Sequence, residues 1–502
     1  MLPCWGRREG HVTCAHWSGA EWALLNLQAK INGYHTLLTK RYIQTLSFII
    51  LSLADLYLAS PLPQTAAPLF DKMPFMVIWN APTSRCQQLK IPLDFSGFQA
   101  ITTPAKAHNQ TLTLFYKKRL GLFPYIDLQT MTLYNGGIPQ RGNLTASLKK
   151  AKEEFTHYIP NSSPGLAVLD WEEWLPVFDQ NSDGRGIYRE LSINYTLQQD
   201  LSLTRPHAES KAKQQFQKMA RDYMEKTLKL GTTQRPKHLW GYYMYPDCYN
   251  YDFENLSYTG QCPDDTTQLN TELLWLWEAS TALFPTAYIP RSISGSQKVA
   301  LFVRHQVQEA VRVAALPQQP YTIPIYMYLR PLLRDQKEHY MHEVDLVRSI
   351  GESAALGAAG CVLWGSSYDY NDKTSCEALS TYLSKTLNQY IVNVTSAAHL
   401  CSNMLCQGNG RCVRKHYDSD DYLHLNPIHF DMEKRAGTYY IRGKPSITDL
   451  RDWAKMFTCQ CYADKNCSAK ITSGICRRSI ILANIVYVDI FPDWQAATPS
   501  FS

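Results

Sequence analysis

The segment GLAVLDWEEWLP sets three carboxylates, Asp170, Glu172 and Glu173, among two tryptophans at the end of an apolar run, Asp170 just before Trp171 and the two glutamates between Trp171 and Trp174. Charge against so much apolar surface is costly unless it has a task. In an extended chain, residues two apart share a face roughly 6.6 Å apart, so Asp170 and Glu172 are expected to point together while Glu173 turns away. Like charges on one face repel, and with aromatic surface around them one member keeps its proton toward neutral pH. A carboxyl group still protonated there is what glycosidic cleavage asks of a general acid. The same residues also fit a solvated strand-to-helix loop, and their spacing leaves both readings open.

Such a pair needs a fixed support. Short apolar runs alternate with longer charged segments from Phe75 to Ser366, as parallel strands joined by helices do. Candidate strands are 74–80, 111–116, 165–174, 239–246, 323–329 and 361–367. Candidate helices are 143–155, 208–231 ending at Gly231, and 296–316. The fold class expected is α/β, a distorted (β/α) TIM-like barrel, whose chemistry sits at the C-terminal strand ends.

With 502 residues the chain exceeds one compact core, so two or more units are expected. Hydrophobic residues at 45% and aromatics at 12% exclude a disordered chain and can line a carbohydrate cleft. The formal charge of +6 is not gathered in a run, which argues against a nucleic-acid binder and suits an acidic partner. After residue 400 the cysteines crowd together at a spacing that resembles an epidermal-growth-factor-like (EGF-like) module in an oxidising compartment. Zinc is the competing reading, but the cluster lacks a paired C-x-x-C set and no H-E-x-x-H occurs, so no metal is expected. There is no Walker A loop or dinucleotide glycine fingerprint, so no cofactor is expected either. Sequons at Asn109, Asn143, Asn161, Asn194, Asn255, Asn393 and Asn466 favour secretion. The apolar stretch around Ile43 to Ala59, behind Lys40 and Arg41, reads as a cleaved signal peptide, with an uncleaved anchor as the alternative. A second run, Ser479 to Phe491, is broken by Asn484 and Asp489 and is a poor lipid-anchor signal. The expected partition is 1–60 extension and signal or anchor, 70–397 barrel, 398–470 EGF-like module and 471–502 tail.

LDWEEWLP, with PFMVIWNAPTSRC, LFPY, GGIPQ, HLWGYYMYPDCYNYDF, GESAALGAAGCVLWG, CQGNGRCVRK and DYLHLNP, resembles the animal hyaluronidases of glycoside hydrolase family 56, from about Pro74 to Cys467. Within that family it looks most similar to sperm-surface and testis-type members, which implies a secreted or cell-surface glycoprotein, with membrane attachment possible in principle and a monomer as the working state. The resemblance implies Glu172 as acid and base and Asp170 as the residue that orients the substrate acetamido group. That group is itself the nucleophile, so the product retains configuration. Tyr243, Asp247, Tyr288 and Trp364 match cleft positions, with Tyr116 and Tyr125 as further cleft aromatics that fit a core role equally well. The implied disulfides are Cys86–Cys376, Cys248–Cys262, Cys401–Cys412, Cys406–Cys459 and Cys461–Cys467. Cys361, in an apolar strand, is expected to be an inert buried thiol.

Two departures bear on activity. Leu175 stands where the family has an arginine in D-W-E-x-W-R-P, and the N-W-D that follows reads Asn181, Ser182, Asp183. Gln306 in FVRHQVQEAVRV stands where relatives carry an arginine, and a neutral amide lacks that residue's fixed charge and bidentate fork. Arg304 would have to reach from another helix face to replace it. The leading function is therefore endo-hydrolysis of β-1,4 N-acetylhexosaminide bonds in hyaluronan, with chondroitin as a second substrate. The alternative is a weakened or inactive relative that binds glycan in adhesion. A purely structural adhesion protein would leave the acidic strand without a purpose.

Overall fold

The computed structural model describes residues 62–103, 108–160, 163–471, 480–482 and 485–488. The apolar stretch at 43–59, Cys4, Cys14, Cys476 and the sequon at Asn161 lie outside the described residues. In chain order the first nine strands are β1 (Met76–Trp79), β2 (Ala100–Ile101), β3 (Leu112–Tyr116), β4 (Tyr125–Asp127), β5 (Thr132–Tyr134), β6 (Gly165–Asp170), β7 (His238–Tyr242), β8 (Tyr326–Leu329) and β9 (Gly360–Leu363). The order β2-β1-β9-β8 forms one parallel sheet and β3-β6-β7 another. Bridges Tyr243↔Phe284, Leu283↔Ile325 and Thr286↔Tyr328, all parallel, lead from β7 through segment 283–286 to β8. The antiparallel hairpin β4–β5 stands apart.

Alternation along these strands explains why the sequence reads as unbroken apolar runs. Met76, Ile78, Leu112, Leu114, Leu166, Val168, Phe284, Tyr326, Tyr328 and Val362 converge in one buried cluster. Their neighbours, among them Val77, Trp79, Phe115, Leu169, Trp240, Met327 and Leu363, belong to a second cluster shared with the helices. Both faces are dry, as parallel strands require, and each fully buried aliphatic side chain contributes about 1.5–3 kcal/mol.

The helices that cover the outer face include α1 (Leu144–Tyr158), α2 (Gly186–Gln199), α3 (Arg205–Gln234) and α4 (Gln297–Ala314). Asn143 caps α1, accepting from the Ala146 amide at 3.0 Å. Helix α3 passes the expected stop at Gly231 and ends at Gln234. Gly231 is a packing glycine rather than a cap: a Cβ there would lie 2.6 Å from the Trp240 ring. Helix α2 was not expected, because its sequence mixes Gly, Ser, Asn, Thr, two Ile and two Tyr among the stronger helix formers; it forms with Tyr188, Ser192, Ile193 and Thr196 buried, a tertiary gain that overrides weak propensity.

Helix α5 (Asn388–Leu405) runs unbroken through residue 398, where the module boundary was expected. Beyond it lie β10 (Gly410–Arg414), β11 (Phe430–Arg435), β12 (Thr438–Gly443), α6 (Ile447–Met456), β13 (Phe457–Cys461), β14 (Ile480–Leu482) and β15 (Ile485–Val488). β10 pairs with β13, and β11-β12-β15-β14 form a second small sheet. Part of the apolar run read as a poor anchor signal thus supplies two strands. The β11–β12 turn uses Ala436 and Gly437 at φ of 47° and 81°, the left-handed pair that two-residue hairpins favour. Among the described residues five disulfides form, with the pairings implied by the resemblance. Among the described residues the free cysteine is Cys361, buried in β9, where burial pushes its thiol up to about 12. A buried ion cluster joins α4 to the C-terminal region: Glu352 accepts from Arg304 at 2.7 Å and from Arg414 at 2.8 Å.

Candidate active site

Asp170 ends β6, in register with Tyr116 at the end of β3. Glu172 lies past the last strand residue, which corrects the expectation that both acids ride on the strand. Trp171 between them is buried, its ring 4.8 Å from Phe123 and 5.3 Å from Trp174. That anchor fixes the chain, and the two carboxyl groups still hydrogen bond each other. Burial pushes Asp170 up to about 8, with repulsion from Glu172 as the second cause. Burial also raises Glu172, while its bond to Asp170 and the charge of Arg185 pull it back. The retained proton belongs to the pair, which titrates as a unit. Glu173 does turn away, to Lys117 at 2.5 Å.

Tyr243 follows β7, and its hydroxyl lies 2.7 Å from that of Tyr288. Burial holds both phenols protonated far into the alkaline range, and both feel the charge of Asp170 and Glu172. Trp364 follows β9, its ring 6.3 Å from Tyr288 and inclined by 34°. Tyr116 and Tyr125 are half-buried, and Tyr125 packs against the core. Arg119 lies 4.6 Å over the Tyr116 ring, and Tyr125 stacks on Tyr134 at 4.6 Å.

Asp247 is buried after β7, where Tyr251 reaches its oxygens at 2.9 and 3.1 Å and the Tyr249 amide at 2.9 Å. Gln306 donates Nε2 to Asp247 at 3.0 Å and to Asn250 Oδ1 at 3.1 Å, and accepts the Cys248 amide at 3.2 Å. Burial raises the Asp247 carboxyl and these bonds counter it. The carboxylate thereby anchors its own loop, with neutral donors throughout. Arg304 does not replace the family arginine; it is spent on Glu352, Asp420 and the carbonyls of Asp418 and Ser419. Leu175 is buried in the core, and its backbone N–H and C=O are both bonded by Asn181.

Lys117, Arg185, Tyr251 and Tyr134 were missed from sequence. Arg185 donates Nε to the Glu172 carbonyl at 3.0 Å, across a distance in sequence that no local spacing reveals; Lys117 could have been flagged beside Tyr116, and Tyr251 within the loop of Asp247. Of the sequons, Asn109, Asn143, Asn194, Asn255 and Asn466 are exposed. Asn393 is half-buried in α5 and accepts the Leu425 amide at 3.0 Å. Among the described residues no group of three or more His, Cys, Asp or Glu is placed to hold a metal, and no helix is long and apolar enough to cross a membrane.

A proton-sharing carboxyl pair, buried phenols and an indole at the C-terminal ends of parallel strands form the apparatus of a carbohydrate-cleaving α/β protein. The chain matches the hyaluronidase family, glycoside hydrolase family 56, over residues 64–471, and it belongs to that family. It is 42% identical to mouse hyaluronidase-5 over 443 residues, covering 86% of this chain and 84% of that protein. It is 41% identical to human hyaluronidase PH-20 over 408 residues, covering 81% and 80%. Among solved structures, bee venom hyaluronidase in complex with a hyaluronic acid tetramer superposes with a TM-score of 0.56 at 31% identity, covering 63% of this chain and 98% of that one.

Proposed function

We propose that this protein is an endo-β-N-acetylhexosaminidase that cleaves β-1,4 linkages of hyaluronan, and of chondroitin as a second substrate, outside the cell. The continuous parallel pairing supports a distorted (β/α) barrel, and the disulfide-bonded strands after residue 400 an EGF-like module beside it. The observation that carries the function is the neighbouring Asp170 and Glu172 carboxyl groups, both raised by burial, beside the Tyr243–Tyr288 hydroxyl pair.

Glu172, the more accessible acid, protonates the leaving oxygen. Asp170 holds the acetamido N–H, so that the carbonyl oxygen of the same sugar attacks its anomeric carbon from the opposite face. Tyr243 and Tyr288 donate to and confine that group, and Trp364 floors the sugar. Water then opens the bicyclic intermediate with Glu172 as base, giving retention; the carboxylate-separation rule for enzyme nucleophiles does not govern this route. Asp247, held by Gln306 and Tyr251, keeps the loop behind Tyr243 in place. That Gln306 occupies all its polar atoms in this role supports activity over the adhesion reading.

The test is depolymerisation of hyaluronan by the glycosylated protein from acid to neutral pH, beside Glu172→Gln and Gln306→Arg. Turnover lost in Glu172→Gln is the expected result. No turnover until Gln306→Arg restores it would favour a glycan-binding protein instead, and silence in every variant would sink the mechanism.

A further inference from the structure

We propose that the β4–β5 hairpin and Lys117 form a sugar subsite on the leaving-group side of the cleft, where the Tyr134–Tyr125 stack offers a ring face to a pyranose and Lys117 reads the carboxylate of the adjoining uronate. The proposal rests on the hydrolase reading and extends it to the side of the bond that Tyr243, Tyr288 and Trp364 do not cover.

Strand order sets the sides. β6, which carries Asp170, has β7 on one flank, leading to Tyr243 and Tyr288, and β3 on the other, leading through Tyr116 to Lys117. A polymer lying across Asp170 and Glu172 from the first flank therefore runs onto the second. There a line of rings leads outward: Trp171, between the two acids, is 6.4 Å from Tyr125, and Tyr125 lies 4.6 Å from Tyr134 with planes 8° apart. Tyr134 is 42% exposed and Leu133 43%, so the hairpin presents aromatic and apolar surface instead of hiding it. The hairpin is also held in shape. Asp127 Oδ1 accepts from the amides of Gln129 at 2.9 Å and Thr130 at 3.1 Å, and Asn135 donates to the Phe123 carbonyl at 3.0 Å.

The cation is placed for an acidic chain. Lys117 Nζ sits 4.8 Å over the Tyr125 ring and 2.5 Å from Glu173, and its side chain is 39% exposed. An ammonium has three donors, and charge complementarity toward a uronate favours register along the polymer. A preformed ring face beside a cation matches the alternating amino sugar and uronic acid of the substrate proposed above, which is the occupant to which we commit.

The test compares kcat/KM and product frames on hyaluronan oligosaccharides of increasing length, using the full glycosylated chain. Tyr134→Ala is expected to lose roughly tenfold on long oligosaccharides and to move cleavage toward the reducing end, with Tyr134→Phe restoring both. A short substrate with a phenol leaving group should be cleaved at the unaltered rate by Tyr134→Ala. Lys117→Met should lose a similar factor on native oligosaccharides and little on carboxyl-reduced ones. Equal losses on short and long substrates, or none on long ones, overturn the subsite. If the wild type cleaves nothing, the hydrolase reading fails separately, and calorimetric titration with an octasaccharide decides the subsite: weaker binding by Tyr134→Ala supports it, equal binding overturns it.

Discussion

Two carboxylate sites in this protein are solved in opposite ways. Glu352 is clamped by Arg304 and Arg414, all three almost fully buried. Half-buried Asp170 has no cation at hydrogen-bonding distance, and burial together with repulsion from Glu172 raises its carboxyl. Counterions hold charge in place and join segments; a carboxyl group denied one keeps its proton and can give it away. The first arrangement serves the fold, and the second serves chemistry at a cost in stability.

The sharpest break of this contrast is Glu172→Gln, expected to lower depolymerisation about 10³-fold or more while thermal unfolding is unchanged or occurs at higher temperature. Next comes Glu352→Gln, which takes the shared carboxylate from two buried guanidiniums and should cost roughly 3–5 kcal/mol in denaturant unfolding, with disulfides kept intact. Replacing Glu352, Arg304 and Arg414 together by apolar residues should recover most of that loss; no recovery would mean that the cluster is more than a charge clamp. Third, pH separates the sites. A carboxyl raised in the folded state binds its proton there more tightly than in the unfolded chain, so the native state loses stability as pH climbs from about 4 to about 8. Asp170→Asn should flatten that decline, gaining on the order of 2 kcal/mol near pH 8; an equal slope in the variant would put the proton elsewhere. The smallest effect is Gln306→Leu, which removes one neutral donor from Asp247 and should cost about 1–2 kcal/mol, raising KM more than it lowers kcat.

Sequence made much of this visible because the parallel strands bury both faces, and their apolar runs stand out whatever they pair with. The acid pair announced itself by charge in an apolar setting. Other features were hidden for identifiable reasons. Gly231 looks like a helix stop until Trp240 is seen against it. Helix α2 has weak intrinsic preference and gains its stability from burial. Gln306 read as a loss, yet it bonds Asp247, Asn250 and the Cys248 amide, a role that depends on partners more than fifty residues away.

By itself the sequence determined the family, the alternation of strands and helices, the cysteine framework and the acid pair, since each is written in local pattern or in residue type. Only the tertiary structure decided where Glu172 leaves the strand, which acids receive a counterion, and how Lys117 comes to pair with Glu173 beside the Tyr125–Tyr134 stack. Those outcomes depend on distances between segments remote in the chain, and on whether burial is met by a charge, a neutral donor or a shared proton.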